Sequence, residues 1–192
     1  MVGVGAANAG ELVINGRGVA FVCLEHFTSI ANPATRGLGL DPELIPMWLA
    51  HEIAHCVRYT SPQSRAEMRR AVSAAGGFYS YWETGRVASL REHLVNEGLA
   101  VQASRALSPG HAPWEYYGFQ RRQYARVREL EGVLTRAVAD DLDVSRGDLI
   151  CRPANAPQVT QDLDALVWLE ADQIIRAGTQ LQRELEAEGD RK

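Results

Sequence analysis

Pro46-Met47-Trp48-Leu49-Ala50-His51-Glu52-Ile53-Ala54-His55-Cys56-Val57-Arg58 is the stretch whose reading decides the fold. Within it, His51-Glu52-Ile53-Ala54-His55 matches H-E-x-x-H. On an α-helix, residues four apart stack on one face, so both imidazoles reach a single metal ion. Neutral imidazole is a good zinc ligand, which makes His51 and His55 candidate metal ligands. Glu52 directly follows His51, so its carboxylate stands beside such an ion rather than on it. A polarised water needs a base at that place, and Glu52 is the candidate catalytic residue. Cys56 adjoins His55 but points about 100° away around the helix, which reads as a small buried residue and not a ligand.

Working outward, a zinc site that hydrolyses bonds wants three protein ligands and an open fourth position, with two histidines and a glutamate a common set. Downstream the chain reads His93-Leu94-Val95-Asn96-Glu97-Gly98-Leu99-Ala100, with Glu97 lying 42 positions after His55. Glu97 is the natural third ligand. His93 sits one turn earlier on the same face, and it is the alternative ligand or a group that orients Glu97 or stabilises an oxyanion. Gly98 in mid-helix costs about 1 kcal/mol relative to alanine. That cost predicts a close approach of the two ligand-bearing helices at Gly98.

The motif pair His51-Glu-Ile-Ala-His-Cys-Val-Arg58 and Leu90-Arg-Glu-His-Leu-Val-Asn-Glu-Gly-Leu-Ala100 resembles the gluzincin branch of the zinc metallopeptidases. The wider match is to a family of predicted zinc-dependent proteases, known mainly as a domain of unknown function, over roughly residues 18–142. The resemblance implies an α+β, predominantly helical, zincin-like fold with a small N-terminal antiparallel sheet beside the HExxH helix. It also implies Zn2+ held by His51, His55 and Glu97 (the glutamate rather than His93), Glu52 as base, and a peptide or protein substrate. Three departures stand out. The chain has less room for sheet before the HExxH helix than such members carry, and it lacks their Gly-Tyr-x-x-Gly-like C-terminal segment. Val101 also stands where thermolysin-like members have an aspartate that orients a histidine.

The 192 residues, 46% hydrophobic and 23% charged, predict one soluble domain over 1–192 with loose ends at 1–10 and 186–192. A net charge of −4 argues against nucleic acid as the main partner. No run is apolar for long enough to span a membrane. The N-terminus shows neither a basic nor a sustained apolar signal region. Cys23, Cys56 and Cys151 are odd in number and far apart, which predicts a reducing, cytoplasmic setting.

Glu11–Asn15 and Gly18–Leu24 read as two antiparallel strands joined at Asn15–Gly16, with His26 solvated at a strand end. Asp41-Pro42-Glu43 opens the HExxH helix, which runs from near Ile45 to about Tyr59 with Leu49, Ile53 and Val57 toward the core. Further helices are expected at about 63–75, 85–107, 114–141 and 160–187. The aromatic patch Phe78–Trp82 reads as core packing. Tyr116 and Tyr117, near a loop, are candidate oxyanion donors. The competing readings are a metal-binding or regulatory domain without turnover, a helical-bundle metal protein, and a structural helical domain without metal.

Overall fold

The computed structural model describes residues 8–32, 37–81 and 83–145. The expected helix at 160–187, Cys151 and the tail at 186–192 lie outside them. The chain divides into two compact units, Met1–Tyr117 and Gly118–Lys192, each described by itself.

The first unit is a hairpin laid against helices. Strands β1 (Ala9–Ile14) and β2 (Arg17–Val22) pair antiparallel, from Ala9 opposite Val22 to Ile14 opposite Arg17. Their turn is the Asn15–Gly16 dipeptide with φ +52° and +73°, the mirror-image geometry that suits the strand twist and that this residue pair tolerates best. A second two-stranded pair joins β3 (Ala31–Asn32) to β4 (Gly37–Leu38). Strand β2 stops two residues short of expectation, and Leu24–His26 form a 3-10 turn. His26 is therefore not solvated but fully buried, its carbonyl accepting from Leu40 N at 2.8 Å.

Asp41 caps the next turn by accepting from Glu43 N at 2.9 Å, and Pro42–Leu44 lead as a 3-10 turn into α1 (Ile45–Thr60). Helix α2 (Glu67–Ala74) begins later than the pattern suggested, and α3 (Leu90–Leu107) begins at a Ser89 cap whose Oγ accepts from Glu92 N at 3.2 Å. Residues 85–87 are a separate 3-10 turn. Helix α1 packs on both strands of the hairpin and on α3. Val13, Tyr59, Met68, Val72, Tyr79 and Ala88 form one core cluster. Phe27, Leu44, Met47, Val101 and Tyr116 form another. Within the aromatic patch Tyr79 lies in the core as expected, while Phe78 is 40% exposed.

The orientation of α1 differs from expectation. Ile53 and Val57 are 44% and 58% exposed, and its buried residues are Met47, Ala50, His51, Glu52, His55, Cys56 and Tyr59. Ile53 lies about 200° around the helix from His51. With the sheet on one side of α1 and α3 on the other, the Leu49–Ile53–Val57 stripe faces away from both.

Gly118, at φ +66°, opens the second unit. The expected helix over 114–141 is a short 3-10 turn, Glu115–Tyr117, in the first unit, and α4 (Arg121–Ala139) in the second. Gln120 and Gln123 form a reciprocal cap at the start of α4. Its arginines pair with acids along the surface, Arg126 with Glu129 at 2.9 Å and Arg128 with Glu131 at 2.8 Å. The molecule is predominantly helical with small antiparallel sheets, an α+β composition. Among the described residues no helix is long and apolar enough to cross a membrane.

Candidate metal centre

Helix periodicity puts His51 and His55 on the side of α1 that faces α3, where Glu97 meets them. His51 Nε2 lies 3.2 Å from Glu97 Oε2, and His55 Nε2 lies 3.6 Å from Glu97 Oε1. One donor atom from each of the three falls within 4.8 Å of the others. Tetrahedral zinc with bonds of about 2.0–2.2 Å separates its ligands by roughly 3.3–3.6 Å, so these three residues fit such an ion. Both histidines are buried, whereas the Glu97 side chain is 63% exposed and open to the cleft.

What aligns α3 is a clamp one turn along α1. Arg58 Nε donates to Asn96 Oδ1, beside Glu97, and Arg58 Nη2 lies 3.2 Å from both oxygens of Glu92. Glu92 also accepts from Met68 N at 3.3 Å, which ties in α2. His93 does not join the ligands. Its Nε2 lies 2.9 Å from Gly85 O and donates to that carbonyl.

The cleft beside the site has a volume of about 190 Å³ and is lined by Trp48, His51, Glu97, Gly98, Val101, Tyr116 and Tyr117. The two tyrosines differ. Tyr116 is buried and its hydroxyl donates to Ser108 O at 2.8 Å, so its proton is already engaged, whereas Tyr117 is 44% exposed at the cleft. Gly98 faces the cleft rather than α1, and an added Cβ there meets nothing within 4 Å. The expected close approach at Gly98 is absent. It is made instead from the sheet, at Gly18, where an added Cβ stands 2.5 Å from Cys56 Cβ.

Three further residues reach the site, none of which the sequence marks as part of it. Glu11, on β1, hydrogen-bonds both the Glu52 carboxyl and the Tyr79 hydroxyl. Tyr79 in turn hydrogen-bonds Tyr59, whose hydroxyl lies 3.5 Å from His55 Nδ1. Tyr59 follows His55 by four residues, a spacing that signals a shared helix face. Glu11 gives a weaker signal, a charge sharing one strand face with Val13 and Ala9. Among the described residues, His51 Nδ1 and Trp48 Nε1 are buried without a hydrogen-bond partner.

The electrostatics follow from this enclosure. Burial, then the Glu11 charge and hydrogen bond, then Glu97, push Glu52 up from 4.5 to about 10. Burial also raises Glu11, against the opposing pull of the Tyr79 hydroxyl. Burial lowers His55 from 6.5 to about 4, which keeps its imidazole neutral, the form that binds metal. For Glu97, packing pushes the pKa up, but the His51 hydrogen bond and the neighbouring imidazoles outweigh it and hold the carboxyl below 4.5.

Comparisons with known proteins add little to this geometry. No family model matches the chain, and no solved structure matches it. The chain is similar over a short stretch to the bifunctional enzyme CysN/CysC of Mycobacterium tuberculosis, in strains CDC 1551 / Oshkosh and ATCC 25618 / H37Rv. The identity is 45% over 42 residues, 21% of this chain and 7% of the enzyme. A match spanning so small a part of either protein assigns no family.

Proposed function

We propose that this chain is a zincin-like, zinc-dependent peptide hydrolase. The observation that carries the reading is the convergence of His51 Nε2, His55 Nε2 and the Glu97 carboxylate, with the Glu52 side chain buried beside them. His51, His55 and Glu97 hold the ion in this reading. Bound zinc supplies Lewis acidity that polarises a water and the scissile carbonyl. Glu52 accepts the water's proton and delivers it to the leaving amine. It acts as a base only when ionised, and positive charge held at the three donors favours that form. The cleft walled by Trp48, Val101 and Tyr117 gives a peptide side chain an apolar surface beside the ligands.

One feature favours a second reading, a metal-binding domain without turnover: Glu52 is engaged by Glu11, and burial pushes its carboxyl well above the ordinary range. The same experiment separates the two. Purified protein is loaded with zinc, and the hydrolysis of a fluorogenic peptide mixture is followed beside Glu52→Gln, His55→Ala and Glu97→Ala. The expected result is about one zinc per chain, lost in His55→Ala and Glu97→Ala. Glu52→Gln keeps the zinc and loses about 10²–10⁴ in rate. Zinc bound without hydrolysis selects the second reading. Zinc retained by both ligand variants overturns both.

A further inference from the structure

Arg58 stands on the same side of α1 as the two histidines. It follows His51 by seven residues, which brings it back to within about 20° of that imidazole around the helix. Its guanidinium is split between two residues of α3. Nε donates to Asn96 Oδ1, and Nη2 lies 3.2 Å from each oxygen of Glu92. Glu92 and Asn96 are four apart, so they lie almost in line along α3, one turn from each other. A fork that grips two such points fixes both the rotation of α3 about its axis and its position along it. Glu97 is the next residue after Asn96.

That grip matters because packing does little to hold the Glu97 side chain. It is 63% exposed, and its carboxylate meets the two imidazoles, His51 at 3.2 Å and His55 at 3.6 Å. A side-chain tip stands about 5–6 Å from the helix axis, so turning α3 by about 10° carries it about 1 Å. Metal–ligand distances hold to within about 0.2 Å.

Asn96 carries a second sign of the same demand. It is 1% exposed, and among the described residues its Nδ2 is buried without a hydrogen-bond partner. An amide with an orphaned donor is a costly way to fill space, and a leucine would fill it without that cost. A leucine would also strip Arg58 Nε of its acceptor.

We propose that Arg58 is a positioning residue for Glu97, gripping α3 through Asn96 and Glu92 so that the Glu97 carboxylate stands opposite His51 and His55. The role asks for arginine rather than for positive charge alone. A lysine ammonium is a single point and cannot hold both partners in one fixed plane. A nearby contact supplies a structural control. Glu67, at the start of α2, accepts from Ser89 N at 3.1 Å and from Ser89 Oγ at 2.7 Å. It ties α2 to the cap of α3 through contacts separate from the fork. The inference rests on the reading of Glu97 as a metal ligand.

The test compares wild type with Arg58→Lys, Asn96→Leu, Glu67→Ala and Glu97→Ala, using readouts that need no turnover. Zinc affinity comes from competition with a chelator, and the visible spectrum of cobalt-loaded protein reports the ligand geometry. Thermal unfolding of metal-free protein reports stability. Arg58→Lys and Asn96→Leu are expected to weaken zinc binding about 10–100-fold and to alter the cobalt spectrum. Glu67→Ala is expected to lower Tm, to stay within about threefold of wild type in zinc affinity and to keep the cobalt spectrum. Should Asn96→Leu fail to fold, Arg58→Lys against Glu67→Ala carries the same comparison. Zinc affinity and cobalt spectrum unchanged in Arg58→Lys, while Glu97→Ala loses zinc, overturn this proposal alone. A Glu67→Ala protein as impaired in zinc binding as Arg58→Lys also overturns it, since a general loosening of α3 would then explain both. A wild type that binds no zinc, or a Glu97→Ala protein that binds it as well as wild type, overturns the ligand reading and this proposal with it.

Discussion

Helix α1 touches the hairpin and α3 along two seams of opposite kind. The seam with the hairpin is close: Gly18 leaves no room for a Cβ against Cys56, and Glu52 meets Glu11 across it. The seam with α3 is polar and paired. Arg58 bridges to Glu92 and Asn96, and Gly98 opens onto the cleft with space around it. The difference separates two tasks. The tight seam fixes where α1 lies, and the open seam leaves the Glu97 carboxylate exposed at the cleft.

The largest effect is therefore expected at Gly18. A Cβ there sits 2.5 Å from Cys56 Cβ and 3.2 Å from its Cα, and a backbone atom cannot swing aside. Gly18→Ala should lower stability by about 2–3 kcal/mol, measured by denaturant unfolding, as β2 is forced off α1. Cys56→Ala should not relieve the clash, because the closest contact is with Cβ itself, whereas Cys56→Gly should relieve part of it. Full relief by Cys56→Ala would mean that sulfur, not backbone spacing, sets the seam.

The two seams were not equally legible in the sequence. The ligand side was: H-E-x-x-H spacing dictates that His51 and His55 share a face, and Glu97 arrived where a third ligand was needed. The Asn15–Gly16 turn was equally plain, because few dipeptides accept positive φ at both positions. The orientation of α1 was not. Leu49, Ile53 and Val57 form the more obvious apolar stripe, yet the buried face mixes Ala50 and Cys56 with His51, Glu52 and His55, because a close sheet selects small residues and the meeting with Glu97 selects polar ones. Glu11 was hidden for a related reason: a strand shows its period but not which partner its charged side chain will meet. A glycine in mid-helix signals a reason without naming its location, and Gly18, not Gly98, proved to be the contact.

A second prediction tests the charge on the tight seam, using chelator-treated protein. Glu52 has a folded pKa of about 10 against an ordinary 4.5, so the unfolded chain gives up its proton before the folded one does. Its contribution to stability is full below about 4.5 and declines as pH rises toward 10. Glutamine cannot ionise, so Glu52→Gln should gain on wild type as pH rises from 4.5. The gain should reach about 1–2 kcal/mol near neutrality, less than the full shift because Glu11 shares the proton. The check is the difference in unfolding free energy between the two proteins from pH 5 to 8. A flat difference would place the Glu52 charge in solvent rather than against Glu11, and one that favours wild type with rising pH would place it beside a stabilising partner.

The smallest effect is expected on the open seam, and its sign is informative. Gly98 lies in the interior of α3, an added Cβ meets nothing within 4 Å, and the residue faces the cleft of about 190 Å³. Gly98→Ala therefore gains helix propensity with no packing loss, and should raise stability by about 0.5–1 kcal/mol. Zinc affinity should stay within about twofold, because the contact that sets the distance between α1 and α3 is Arg58 with Asn96 and Glu92 rather than backbone apposition. A larger side chain acts differently: Gly98→Leu occupies cleft volume, so it should raise KM for peptides while leaving zinc binding near wild type. Weaker zinc binding in Gly98→Ala would show that α3 comes closer to α1 in the loaded protein than in the metal-free one. Both seams of α1 would then be tight.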